Sequence, residues 1–253
     1  MIPKLHAIPQ RIISLVPSQT ELLYDLGLEE NIVGITKFCI HPHHFRTTKT
    51  IVGGTKKVSF EKILALQPDL IIANKEENTL KMVTELQKIC PVWVTNIITI
   101  DDSLQMISDF GTTLGCQPKA LEWHEKISEA YEDFRQFIEN KSVKRVAYLI
   151  WKNPFMVAGS DNFINDMLTL NRFENSCNNG GRYPEMELEK IASNTEYIFL
   201  SSEPFPFSAK DVVEIESGSK VKTVLVDGEM FSWYGSHILK AFSYFKRLHA
   251  ELE

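Results

Sequence analysis

The stretch from Pro118 to Asn140, "PKALEWHEKISEAYEDFRQFIEN", constrains the fold more than any other. Leu121, Trp123, Ile127, Ala130, Tyr131, Phe134, Phe137 and Ile138 recur mostly every three or four residues, and no glycine or proline follows Pro118 within it. That spacing predicts one amphipathic helix with Glu122, Glu125, Glu129, Glu132 and Asp133 on its polar face. At 1.5 Å per residue the helix would be roughly 35 Å long, about the width of a small domain. On both sides of it, short apolar, β-branched runs alternate with helical patterns over short connections. Such alternation indicates parallel sheet covered by helices. The expected fold is therefore α/β: two Rossmann-like lobes with parallel sheets, at 1–117 and 142–253, joined by one long backbone helix at 118–141. A chain of 253 residues is comfortable for two lobes.

In the first lobe, "RIISLVP" (11–17) and "IVGIT" (32–36) read as strands. Between them Ser18 or Thr20 is expected to cap a helix carrying Leu22, Leu23 and Leu26, with Gly27 ending it. Ser59 caps "FEKILALQ", Pro68 stops it, and "LIIA" is the next strand. "TLKMVTELQKI", "PVWVT" and "SLQMISDFGTTLG" continue as helix, strand and helix, with Asp101 and Asp102 as an N-cap pair. In the second lobe "VKRVAYLIW" (143–151), "EYIFLS" and "VKTVLVDG" (221–228) are strands. "NFINDMLTL", "EMELEKIASN" and "SHILKAFSYFKRLHAEL" are helices.

One unit occurs twice. "SFEKILALQPDLIIAN" (59–74) and "ELEKIASNTEYIFLSS" (187–202) each carry Glu-Lys-Ile followed, after the same gap, by a short apolar run. Glu61 and Glu189 hold equivalent places. Glutamate suits the first turn of a helix on its own account, so the repeat alone does not decide between a local preference and a shared role.

The net charge of −6 argues against a nucleic-acid binder, which carries a basic face. No apolar run reaches the ~20 residues needed to span a bilayer. The start, "MIPKLHAIPQRIISLVPS", is broken by Pro3 and Pro9 and does not read as a signal peptide. As written, the chain is expected to be cytoplasmic unless a leader precedes it. Cys39, Cys90, Cys116 and Cys177 are scattered without zinc-type spacing and read as free thiols.

Neither a GxSxG elbow, an HExxH pair nor a Walker loop occurs. "VGGTKK" (52–57) reads as a turn. "KFCIHPHHFR" (37–46) follows a strand, where α/β folds place ligand sites. Cys39, His41 and His44 are the candidate metal ligands in it, and a histidine lining a pocket is the alternative. "WKNPFMVAG" (151–159), "GGRYPEM" (180–186) and "GEMFSWYGS" (228–236) put aromatics in turn-rich segments, as core or as the apolar wall of a cleft.

On "RIISLVPSQTELLYDLG", "VGIT", "SFEKILALQPDLIIA", the 118–140 helix, "NPFMVAG" and "RYPEMELEKI", the chain resembles the class III solute-binding proteins of ABC importers. The branch is the one that binds vitamin B12 and iron-siderophore or haem chelates. The resemblance implies the helical-backbone metal receptor type of fold, a monomer, a non-enzymatic role, and a ligand, cobalamin or an iron chelate, held between two lobes. It implies no cofactor and an extracytoplasmic location. It further implies that Glu61 and Glu189 dock on a dimeric ABC permease in the membrane. For ligand binding it points to Pro17 and Ser18 of "PSQTEL", to Phe38, and to Tyr183. His41 stands where B12-binding members have tyrosine and is the candidate to approach a ligand metal. Thr55 and Asn74 stand where they have tryptophan, and Met156 where they have phenylalanine. Glu229, Phe231 and Trp233 of "GEMFSWYG" complete the set. A metal-dependent cytoplasmic enzyme or cofactor-handling protein on the same architecture, with Cys39, His41 and His44 as ligands, is the competing reading.

Overall fold

A computed structural model describes residues 2–253. The chain divides into two compact units. One takes in the chain up to Ile97, Asp101–Glu129 and Trp233–Leu239, and the other Ile98–Ile100, Ala130–Ser232 and Lys240–Glu253.

The first unit holds five parallel strands: β1 (Ile12–Ser14), β2 (Ile32–Thr36), β3 (Thr50–Gly53), β4 (Leu70–Asn74) and β5 (Val92–Thr95). Their order is β3-β2-β1-β4-β5. The chain runs outward from β1 to β3, then returns to the other side of β1 for β4 and β5. The β1/β4 boundary is therefore the switch point of the sheet. Central strand β4 is buried along its whole length, as a parallel strand covered on both faces must be. The helices are α1 (Pro17–Asp25), α2 (Phe45–Thr48), α3 (Phe60–Ala65), α4 (Leu80–Leu86) and α5 (Ile100–Leu114). One core joins Ile13, Leu15 and Ile71 of the sheet region to Ile63, Val83 and Leu86 of the helices.

The long pattern forms a single helix, α6 (Gln117–Ile138). Its early residues belong to the first unit, where Ala120 lies so close to Gly111 that a Cβ on Gly111 would meet it at 2.5 Å. Trp123 Nε1 donates to Asp25 O at 3.1 Å. Its later residues belong to the second unit, where Phe134 lies 5.4 Å from Phe242 and 5.9 Å from Phe245, ring centre to ring centre.

The second unit holds β6 (Lys144–Trp151), β7 (Met156–Val157), α7 (Phe163–Leu170), β8 (Phe173–Asn175), α8 (Leu188–Ala192), β9 (Tyr197–Ser201), α9 (Ala209–Ser219), β10 (Lys222–Val226), α10 (Gly228–Ser232) and α11 (Ile238–Leu252). Its sheet runs β10-β9-β6-β7, with β8 also on β6. The pairings are parallel except β6 with β7, so this sheet is mixed, not purely parallel.

Several local expectations change. Val16 is the N-cap of α1 and Pro17 its first residue, so Ser18 and Thr20 lie inside the helix. Proline at that place loses nothing, because the first N–H has no helical partner. Asp101 and Asp102 sit in the first turn of α5 and do not precede it. "EMELEKIASN" yields helix only over Leu188–Ala192. The segment Trp233–Leu239 belongs to the first unit, not to the lobe that contains the chain around it, and Ile98–Ile100 belongs to the second. Ser59 does cap α3, accepting from Lys62 N, and Gly27 follows α1 at φ +81. Among the described residues no helix is long and apolar enough to cross a membrane.

Candidate functional site

Parallel strands end on one common edge, and loops leaving that edge carry ligand sites in open α/β sheets. In the first unit this edge gathers Pro17 and Ser18 after β1, Phe38 and His41 after β2, Thr55 after β3, and Asn74 at the end of β4. Gly53, at φ +143, lets the chain turn there. A Cβ on it would lie 2.5 Å from Lys57 O. Phe38 is 48% exposed, with Lys37 Nζ 4.9 Å from its ring centre. It is a large apolar surface exposed at this edge.

Trp233–Leu239 is bound to the same unit. Gly235 N donates to Ser103 Oγ at 2.9 Å. Gln19 Nε2 donates to Tyr234 Oη at 2.9 Å and to Thr95 Oγ1 at 2.6 Å. His237 Nδ1 and Glu21 Oε2 are 2.7 Å apart with both side chains buried. The half-buried His41 ring lies 5.4 Å from that of Trp233, 5.9 Å from that of His237 and 5.4 Å from that of His43. An aromatic and imidazole cluster therefore adjoins a buried hydrogen-bonded network on α1.

The candidate metal set does not assemble. The Cys39 thiol is buried, 3.1 Å from Thr20 Oγ1 and 3.2 Å from Thr36 Oγ1. Burial pushes its pKa up, the opposite of what a thiolate ligand needs. His44 instead meets Glu29 at 2.7 Å on the exposed side of the unit. Among the described residues no three His, Cys, Asp or Glu side chains are placed to hold a metal ion.

Asn74 proves to be a structural residue, not a ligand wall. It is 2% exposed, its Nδ2 donates to Thr95 Oγ1, and its Oδ1 accepts from Glu76 N and Glu77 N. Trp233 is only 6% exposed, so its removal would open a cavity as well as a ligand contact.

In the second unit, the segment from Met156 on β7 to Gly159 pairs with the segment from Arg182 to Glu185, which carries Tyr183. Val157 N donates to Pro184 O at 3.1 Å, Gly159 N to Arg182 O at 2.8 Å, and Met156 bridges Glu185. Asn162 Nδ2, donating to Arg182 O and Gly159 O, locks this loop pair. Both Met156 and Tyr183 are half-buried. Glu229, half-buried, opens α10. Phe231 does not belong with them. It is fully buried, 5.1 Å from the Tyr148 ring and 4.8 Å from the Phe245 ring, and fills the core.

Glu61 and Glu189 are exposed, each in the first turn of a short helix. Two residues on, Ile63 and Ile191 are fully buried. The repeated unit thus folds the same way in both places, with isoleucine anchoring the helix and glutamate facing solvent.

Sequence reasoning passed over Gln19, Glu21, Glu77, Tyr234 and His237. The signal for Glu77 was present: "NKEEN" is an abrupt polar burst directly after the apolar run of β4.

Residues 12–226 match the protein family described as periplasmic binding protein. An uncharacterized ABC transporter substrate-binding lipoprotein of Bacillus subtilis is 24% identical over 85% of this chain and 66% of its own length. The chain thus spans just under two thirds of that relative. A vitamin B12-binding protein of Vibrio campbellii is 24% identical over 76% of this chain and 70% of its own. The solved structure of a periplasmic haem-binding protein from Roseiflexus shares the fold, at TM-score 0.82 and 17% identity over 96% of this chain and 98% of that one.

Proposed function

The chain belongs to the periplasmic binding protein family, and we propose that it is the solute-binding component of an ABC importer. It captures cobalamin or a related metal chelate outside the cytoplasmic membrane and hands it to a membrane permease. It acts as a binding protein and not as an enzyme. The observation that carries this reading is the carboxyl edge of the first sheet, where exposed Phe38 and half-buried His41 stand among loops held by buried hydrogen bonds. Such an edge offers an apolar face with a few fixed polar groups, as small-molecule sites do. Curated relatives named for vitamin B12 binding favour cobalamin. Glu61 and Glu189 dock on the permease through charge-assisted bonds to arginine.

A haem or a ferric siderophore is the second reading. The observation favouring it is the imidazole of His41, packed against Trp233 and His237, which would suit an axial position on a metal.

A thermal-shift screen with cyanocobalamin, haemin and ferric siderophores tests both. A ligand at ~100 times its dissociation constant stabilises the protein by about 2.7 kcal/mol, an easily visible rise in Tm. A rise with cyanocobalamin supports the first reading, and a rise only with haemin or a siderophore the second. No shift with any of them overturns capture of a metal chelate.

A further inference from the structure

The carboxyl edge of the first sheet is uneven in charge. The loops after β2 and β3, residues 37–44 and 54–59, hold Lys37, Lys56, Lys57 and three histidines but no aspartate or glutamate, in a chain whose net charge is −6. The acids of this edge lie toward its other side, Glu76 and Glu77 after β4 and Asp101 and Asp102 in the first turn of α5. Lys56 is engaged there, since its Nζ donates to Glu76 O. His44 is engaged by Glu29. Lys37 is held otherwise. Its N donates to Gly53 O at 2.8 Å, and the next N–H, of Phe38, donates to the buried Thr36 Oγ1 at 3.3 Å. Both side chains lie over Gly54, where a Cβ would meet Phe38 Cε2 at 3.2 Å and Lys37 Cε at 3.6 Å. The Lys37 ammonium rests 4.9 Å from the centre of the exposed Phe38 ring. Gly54 N bonds to Lys57 O, so the turn beneath the ring carries a second cation.

Resting on the capture reading, we propose that Lys37 and Phe38 form one subsite, which takes a ligand with an anionic group on its rim: the ligand's apolar face lies on the ring, and its carboxylate or phosphate takes the ammonium. An ammonium over an exposed phenyl ring is held weakly, whereas an anionic oxygen accepts a charge-assisted bond from it. The ligand's anion therefore displaces the ring as the partner of Lys37. With no acid in the loops after β2 and β3, and with Lys57 on the adjoining turn, the field on this side favours the anion as well. Haem offers such a group in its propionates, and cobalamin in the phosphodiester of its nucleotide loop.

The test titrates the full chain, as wild type, Lys37→Gln and Lys37→Arg, with two pairs of ligands. One pair is haemin and haemin dimethyl ester, which lacks the carboxylates. The other is cyanocobalamin and dicyanocobinamide, which lacks the phosphodiester. Circular dichroism checks that the variants are folded. The wild type is expected to favour the anionic member of the pair it binds by about fivefold or more, and added salt should narrow the difference. Lys37→Gln should remove most of that preference, and Lys37→Arg should keep it. The pair that responds identifies the source of the anion. A preference that is absent in the wild type, or unchanged in Lys37→Gln, overturns the subsite while leaving chelate capture standing. Binding of neither pair also overturns the subsite, and the screen with ferric siderophores then decides whether capture itself stands.

Discussion

Glu21 and His237 meet at 2.7 Å inside the first unit, on segments far apart in the chain. Both side chains are buried, so deleting one member removes a contact that the other has already been desolvated to meet. Glu21→Ala should therefore destabilise the protein by about 2–3 kcal/mol in urea unfolding. An unchanged midpoint would show the pair to be dispensable. His249 makes the opposite kind of statement. It is buried, stacked 4.9 Å from the Phe173 ring at an interplanar angle of 19°, and beside Phe137. Burial, helped by Lys144 and Lys141, holds its pKa down to about 4 from the ordinary 6.5. Between those values the unfolded chain binds the proton and the folded chain does not. Stability is thus complete above pH 6.5 and falls as pH drops toward 4, by up to ~3 kcal/mol. His249→Phe should flatten the dependence of Tm on pH over that interval. A slope identical to wild type would contradict this origin.

At the scale of elements, α3 and α8 present the repeated glutamate. Each helix is anchored by one isoleucine, Ile63 or Ile191, and each glutamate faces solvent, so Ala in place of Glu61 or Glu189 should leave the fold and ligand affinity unchanged. Pull-down with the cognate permease should weaken in either single variant and fail in the double variant, and wild-type association should fall with added salt. Loss of ligand binding in the double variant would show that the glutamates serve the pocket instead. The alternation of elements was legible because its signals are local: β-branched runs, Ser59 as a cap, Gly27 as a stop, and an unbroken helical period over α6. Where reading failed, the signal was weak or nonlocal. Helix α9 was missed since its apolar residues are sparse, although Ser208 and Asp211 form a capping box around its start. Strand β3 is too short, and too near the glycines of "VGGTKK", to read as anything but a turn.

For the whole molecule, the family and the two α/β units were written in motifs spread along the chain. The candidate site was legible only in part. Phe38 and His41 could be placed because "KFCIHPHHFR" follows a strand, and loops after parallel strands are where ligands go, whereas Thr55 came only from the family resemblance. Nothing local tells that Trp233–Leu239 returns to the first unit. That is decided by contacts such as Gln19 with Tyr234 and Gly235 with Ser103. Nor does composition distinguish Phe231, which fills the core, from an aromatic at a pocket wall. The central claim is that the chain captures a metal chelate as a binding protein. Isothermal titration of the purified chain with cyanocobalamin tests it most directly. The account predicts a saturable isotherm with one ligand per chain and no turnover of the ligand recovered afterwards. A flat isotherm with cyanocobalamin, with haemin and with ferric siderophores alike would contradict it.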